Sequence, residues 1–243
     1  MLISVCMATY NGEEHLREQV DSIMGQRLPD FPEAKMELVV SDDESKDDTI
    51  NILESYQDRR IKIYSHHSRR SHRYYKTLYA VTENFANALS KASGDYIFLS
   101  DQDDIWHPKK LNEQLKVLTQ KGGVCATAFA RIDANRKVIN RIGYRRESFW
   151  KPRKTSHLYG FSCGFAREEL KYILQMPSVP QHDWFIQLIA LKRDKMMYIN
   201  QVLAAHRVKS SSSAYTALRE PLWVKLYTRI KLISIVLWRC MTR

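Results

Sequence analysis

The sequence has no run of eighteen or more apolar residues, so no membrane-spanning helix is expected. Its N-terminus lacks the basic flank and small-residue cleavage site of a secretory leader, and it enters a strand pattern directly at Leu2 to Ala8. Cysteine is scarce. Cys6, Cys125, Cys163 and Cys240 stand apart with no metal-ligand spacing, which reads as free thiols in a reducing, cytosolic setting. The glycine-rich dinucleotide fingerprint is missing, since Gly12 stands alone, and so is the phosphate-binding loop with its lysine. Phosphates handled by such a chain have to be held by a metal and by basic side chains. No internal repeat and no low-complexity linker divides the chain.

What is present fits one α/β domain with a small appendage: 243 residues, 44% hydrophobic and 27% charged. The net charge of +11 is unevenly spread, concentrating at His66 to Lys76, Arg131 to Lys154 and Lys225 to Arg243. Three kinds of partner match that excess: nucleic acid, an anionic membrane surface, or a phosphorylated substrate.

Strand and helix patterns alternate along the first half. Leu2 to Ala8 reads as a strand, followed by a helix with Leu16, Val20 and Ile23 on one face. Met36 to Ser41 is a second strand, and Ser45 with Asp48 matches a capping box before a helix bearing Ile50 and Leu53. Ile61 to Ser65, a helix through Leu78, Val81, Phe85 and Leu89, and a strand at Tyr96 to Leu99 come next. A helix near Pro108 and a strand at Val124 to Ile132 complete the alternation, which argues for a mostly parallel sheet. Asp133 to Lys154 reads as a loop, His157 to Ala166 as a further strand, Trp184 to Leu191 as a helix after Asp183, Met196 to Ala204 as a last strand, and Lys209 to Ala214 as a serine-rich connection.

The stretch with most chemistry is Gly94 to Trp106. A buried strand empties into Asp101, Asp103 and Asp104. Three acids within four residues repel unless a cation or water screens them. Ligands of open α/β sheets sit beyond the carboxyl ends of strands. The stretch therefore reads as an oxygen-rich site for a hard divalent cation, Mg²⁺ or Mn²⁺, with a solvated turn and Asp104 as a helix cap the bland alternative. Thr9, Tyr10, Asp42 and Asp43 end neighbouring strands and can converge on the same rim; turn and cap roles are the alternative for the two acids.

With these motifs in order, the chain resembles a family 2 glycosyltransferase of the GT-A fold, a Rossmann-like mostly parallel sheet flanked by helices. Ile3 to Gly12 matches the family's opening strand. Val39 to Thr49 matches its acidic second-strand motif, with Glu44 where glycine is usual. Gly94 to Trp106 matches its Asp-x-Asp strand end. The resemblance implies that Thr9, Tyr10, Asp42, Asp43 and Asp101 bind the donor nucleotide and that Asp103, with Asp101, binds the metal. It implies an acceptor segment at Tyr159 to Phe165 with Cys163 and Gly164, joined by Trp106 and Trp184, and makes Asp183, in Gln181-His182-Asp183-Trp184, the base. A plain helix cap remains the alternative for Asp183. His206 to Lys209 stands where the family often has Tyr-Arg-x-His; Lys209 replaces the histidine, and Arg207 or Lys209 is a cation for the diphosphate. Arg69, Arg70, Arg73 and Lys76 are helpers or a solvated loop.

The implied enzyme is an inverting, metal-dependent glycosyltransferase. It moves a sugar from a uridine or deoxythymidine diphosphate carrier to a glycan or lipid-linked acceptor, in surface polysaccharide synthesis. Residues 1–104 would bind the donor and 105–220 the acceptor. Two rivals are a haloacid-dehalogenase-like phosphatase and a basic nucleic-acid-binding domain. The first wants its acidic pair near the N-terminus, and the acidic rim opposes the second, so no nucleic acid is expected. The tail, 221–243, is a basic amphipathic helix. It either lies on an anionic membrane, placing a cytoplasmic enzyme at the inner face of the plasma membrane, or docks on the domain with its basic face in solvent.

Overall fold

The computed structural model describes residues 1–68, 75–144, 149, 158–174, 181–208 and 221–241. Strands β1 (Leu2–Thr9), β2 (Lys35–Asp42), β3 (Ile61–Ser65) and β4 (Tyr96–Ser100) are parallel, in the order β3-β2-β1-β4. Helices α1 (Glu13–Met24), α2 (Thr49–Glu54) and α3 (Lys76–Lys91) connect them. The chain steps outward from β1 to β3, then returns to the far side of β1 as β4. That reversal opens a crevice at the carboxyl ends of β1 and β4, where such sheets take their ligands. β1 is central, and Ile3, Val5, Cys6 and Met7 are all fully buried. A strand covered on both faces has no need of polar alternation, which is why it reads as an apolar run.

The second half comprises β5 (Ile105–Trp106), α4 (Lys110–Lys121), β6 (Val124–Ile132), β7 (Val138–Ile142), β8 (Cys163–Ala166), α5 (Leu170–Ile173), α6 (His182–Lys192), β9 (Met196–Arg207) and α7 (Leu222–Met241). The sheet continues from β4 through β8, β6, β9 and β5, with β7 beside β6. β8 runs antiparallel to both β4 and β6, while β6 and β9 are parallel. The expected mostly parallel α/β sheet is present: the first four strands are parallel, β6 is parallel to β9, and β8 is the reversal that carries the sheet onward.

Several local expectations are corrected. Residues 133–154 are not all loop, because β7 pairs with β6 as a hairpin. The Ser45–Asp48 capping box does not form; Ser45 hydroxyl donates to Asp42 instead, at 2.6 Å. The helix after Pro108 begins at Lys110, so Asp104 does not cap it. Of the expected 157–166 strand, the described part from residue 158 forms a strand only at Cys163–Ala166, and β9 runs on to Arg207. Lys209 to Ala214, and Arg69, Arg70 and Arg73, lie outside the described residues.

α7 packs on α6 through a second apolar cluster that includes Phe185, Leu188, Ile189, Leu232 and Val236. Arg239 donates to the Tyr172 carbonyl at 3.0 Å, its guanidinium lying over the Phe185 ring. The tail thus docks, but the outer face expected to be basic is apolar, with Leu222, Trp223 and Ile230 exposed.

At the opposite end of the sheet from the crevice, Glu37 of β2 is buried beside Ser4 of β1. It accepts from Ser4 hydroxyl at 2.6 Å, Lys62 ammonium at 2.6 Å, and Ser93 amide and hydroxyl at 2.9 and 2.7 Å. Burial pushes this carboxyl up, but the bonds from Lys62, Ser4 and Ser93 outweigh it and hold it at about 2. A folded-state value below the ordinary 4.5 means the stabilisation is complete above that value and is lost as pH falls through about 2. Glu37→Gln should therefore narrow the melting-temperature gap between neutral and acid pH. Parallel melts from neutral pH down to acid check this; an unchanged gap would show that Glu37 is not the acid-sensitive tie.

Candidate active site

The rim of the crevice is assembled from strand ends. Thr9 hydroxyl donates to Asp42 at 2.8 Å, and Asp42 also accepts from Ser45 amide at 2.8 Å. Thr9 and Asp42 are thus buried and committed to each other and to Ser45. Asp43, equally buried, accepts from Ser68 amide and hydroxyl at 2.7 and 2.8 Å, fixing the segment after β3 against the rim. Asn84 of α3 donates to the Thr9 carbonyl at 3.0 Å. Tyr10 is exposed, and its backbone is gripped from the other side. Gln102 accepts from Tyr10 amide at 2.8 Å and donates to Tyr10 carbonyl at 3.1 Å. A Cβ on Gly12 would lie 2.5 Å from the Gln102 oxygen, so the clamp needs glycine there.

Beside this clamp lie the three acids. Burial, then repulsion from Asp104 and Asp103, raises the Asp101 carboxyl well above its ordinary range; His206 opposes this and Asp183 adds to it. That coupling joins residues of β4's end, β9 and α6 into one electrostatic group. Asp104 is buried and lies 2.8 Å from His206 Nδ1, while its Oδ2 has no hydrogen-bond partner among the described residues. The His206 ring stacks on Phe161, with centroids 5.0 Å apart. Burial pulls this imidazole down, but the bond to Asp104 and the charges of Asp101 and Asp103 hold it above its ordinary value. The donor set of Asp101 and Asp103 is hard carboxylate oxygen, which suits Mg²⁺ or Mn²⁺. Among the described residues no group of three His, Cys, Asp or Glu side chains encloses a cation. A bound cation would therefore complete its shell with water and ligand oxygens.

Asp183 lies in the first turn of α6 and is not its cap, which is Gln181 in the left-handed region at φ 75°. Its carboxylate accepts from Trp184 amide at 2.7 Å. His182 is buried against Phe85, ring centroids 4.3 Å apart, and burial keeps its imidazole below the ordinary value. Asp183 is partly exposed and close enough to Asp101 to raise it. A half-exposed acid at a helix start, facing other acids across a crevice, is placed to accept a proton from a ligand hydroxyl.

Five of the expected contacts are placed elsewhere. Trp106 is 2% exposed, with the Lys110 ammonium 3.6 Å above its ring, so it forms the floor beneath the acids. That ammonium bonds Gln114 at 2.9 Å, and burial pushes it down to about 7. Cys163 is fully buried, its thiol raised to about 12 by burial, and it presents nothing to a ligand. Gly164 exists for packing: a Cβ there would stand 2.2 Å from the Phe98 ring. Trp184 packs towards α7, with Arg229 over its ring at 5.8 Å. Arg207 is buried in an ion pair with Glu18 of α1, which also holds Arg136 at 2.8 Å, so its charge is spent before any diphosphate arrives.

Two roles escaped the sequence reading. Gln102 stands between acids, where nothing marks it as a clamp. Asp104 was read as one of the three acids of the cation site, but not as the partner of an imidazole. His206 lies within the segment singled out, but its link to Asp104 spans 102 positions.

The sequence model described as glycosyl transferase family 2 matches residues 4–174. An uncharacterized protein of Mycobacterium tuberculosis is 35% identical over 117 residues, 48% of this chain, and the match spans only 31% of that protein. The dTDP-rhamnosyl transferase RfbG of Shigella flexneri is 28% identical over 80% of this chain and 68% of its own length. The UDP-Glc:alpha-D-GlcNAc-diphosphoundecaprenol beta-1,3-glucosyltransferase WfgD of Escherichia coli is 26% identical over 90% of this chain and 82% of its own. Among solved structures, S. aureus TarS 1-349 with UDP-GlcNAc aligns at a TM-score of 0.72 and 18% identity, covering 97% of this chain and 66% of that one. Glucosyl-3-phosphoglycerate synthase of Mycobacterium tuberculosis with Mn²⁺, UDP and phosphoglyceric acid aligns at 0.57 and 19%, covering 98% and 78%. These two likenesses establish the shared fold.

The packing at Gly164 gives a direct test. Gly164→Ala should destabilise the protein by about 1–3 kcal/mol, the cost of overpacking a filled core. A denaturant titration measures it. A neutral result would mean that the Phe98 ring has room to move.

Proposed function

The chain belongs to glycosyl transferase family 2, and from that premise we propose an inverting, metal-dependent transferase that moves a hexosyl or deoxyhexosyl group from a nucleoside diphosphate sugar to an acceptor hydroxyl. The observation that carries this reading is the gathering of Asp101, Asp103, Asp104, His206 and Asp183 at the switch point of the sheet. The family match displaces the phosphatase and nucleic-acid readings. The donor is a uridine or deoxythymidine diphosphate sugar, in keeping with the names of RfbG and WfgD and the UDP-GlcNAc held by TarS. The acceptor is a glycan or lipid-linked sugar of a surface polysaccharide, and the WfgD name supports the lipid-linked form. Residues 1–104 serve the donor and 105–220 the acceptor. The enzyme works in the cytoplasm against the inner face of the membrane, with an anionic lipid surface as a further partner.

Each side chain has a part. The rim of Thr9, Tyr10, Asp42 and Asp43 cradles the nucleoside. Asp101 and Asp103 hold Mg²⁺ or Mn²⁺, which when bound neutralises the departing diphosphate. His206, bonded to Asp104, lies beside the same group of acids, and that bond raises its imidazole above the ordinary value. Asp183 takes the proton of the acceptor hydroxyl. The acceptor oxygen forms its bond to the anomeric carbon from the face opposite the diphosphate, whose bond breaks, so the configuration inverts.

Two substitutions test the roles. Asp183→Asn should keep donor binding in calorimetry and slow transfer by on the order of 10²–10⁴. A rate within a few-fold of the parent would remove Asp183 from the chemistry. Asp103→Asn should abolish the increase in nucleoside diphosphate affinity that Mn²⁺ gives the parent, with the circular dichroism spectrum unchanged. Equal metal enhancement in both proteins would overturn the metal assignment.

A further inference from the structure

α7 has two apolar faces, and one of them packs against α6. At 3.6 residues per turn, Val224, Thr228, Leu232, Val236 and Arg239 fall on one side, and all are buried. The same geometry sets Leu222, Trp223, Leu226, Ile230 and Ile233 on the opposite side. Leu222 is 82% exposed, Trp223 61%, Leu226 58% and Ile230 57%. Arg229 and Lys231 lie at the borders between the two faces. Residues 221–243 contain no acid.

We infer that this outward face seats the protein on an anionic lipid bilayer, the helix lying flat in the interface. A helix wholly concerned with docking would turn polar side chains outward. An outward apolar face holding tryptophan and leucine, rimmed by positive charge, matches a headgroup layer: apolar side chains enter the acyl boundary while the rim meets lipid phosphates. A second copy of the chain suits the face poorly. Two such helices face to face would bring Arg229 and Lys231 of each together with no acid to offset them. No helix among the described residues is long and apolar enough to cross a membrane, so the contact is lateral.

The position of α7 gives the contact a use. α6 bears Asp183 in its first turn, and the next residue, Trp184, lies under Arg229 of α7. Seating α7 on the bilayer brings the proton-accepting end of α6 close to the lipid surface, where a lipid-linked hydroxyl presents itself. This use, though not the surface itself, rests on the transferase reading above.

The test is co-sedimentation of the full chain with vesicles of equal parts phosphatidylcholine and phosphatidylglycerol, and with phosphatidylcholine alone. The parent should bind the anionic vesicles at low salt and be released by high salt. Leu226→Ser with Ile230→Ser should cut partitioning by about ten-fold or more, and Arg229→Gln by about five-fold. The melting temperature of the Leu226/Ile230 pair should stay at the parent value, because these two side chains point outward. Absence of parental binding to anionic vesicles, or variants that bind as the parent does, would overturn the inference. So would a dimer in sedimentation velocity that the Leu226/Ile230 pair abolishes, since the face would then belong to a second copy. Nucleoside diphosphate binding is measured without vesicles. Its loss alongside intact vesicle binding would remove the transferase reading and leave the lipid-facing surface supported.

Discussion

Carboxylates crowded into a few ångströms at the end of β4 must be reconciled with one another, and much of the surrounding structure serves that end. Asp101, Asp103 and Asp104 leave the sheet together, and Asp183 approaches from α6. The fold answers with His206, which reaches Asp104 from β9, and with Lys110 set beneath Trp106. Neither group quenches the site. His206 is committed to one acid, and Lys110 is buried below the floor, its charge weakened by desolvation. What remains is a concavity crowded with carboxyl oxygens, which favours a divalent cation and the phosphate oxygens it brings.

Much of the first half was legible because two sequence periods coincide with two structural demands. A strand covered on both faces is apolar throughout, and polar residues resume where it meets solvent at its carboxyl end. β1, β2 and β4 therefore announced both themselves and the rim at Thr9, Asp42 and Asp101. β7 went unread for the converse reason. It is an edge strand, and Val138 to Asn140 bury almost nothing, so no apolar alternation marks it.

The second half was harder because one residue of register decides which way a side chain faces. Cys163 and Gly164 were read as a surface for ligands; β8 lies between β4 and β6, so both are interior. Arg207 looked like a free cation. Its partner, Glu18, is 189 positions away, and no local pattern reveals that a distant acid has claimed a charge. Asp183 was identified correctly as lying at a helix start, yet its placement one residue inside the helix was a matter of backbone geometry at Gln181.

The Gln102 clamp ties the loop after β1 to the acidic loop after β4 through both polar groups of a single amide. The missing side chain of Gly12 is the space that amide occupies. Positions 12 and 102 are therefore not free to vary separately over evolutionary time. In a lineage that shortens residue 102, a side chain at 12 becomes tolerable; in one that keeps glutamine, it does not. Paired change at these two sites, 90 residues apart in sequence, would be the historical trace of a single hydrogen-bonded tie.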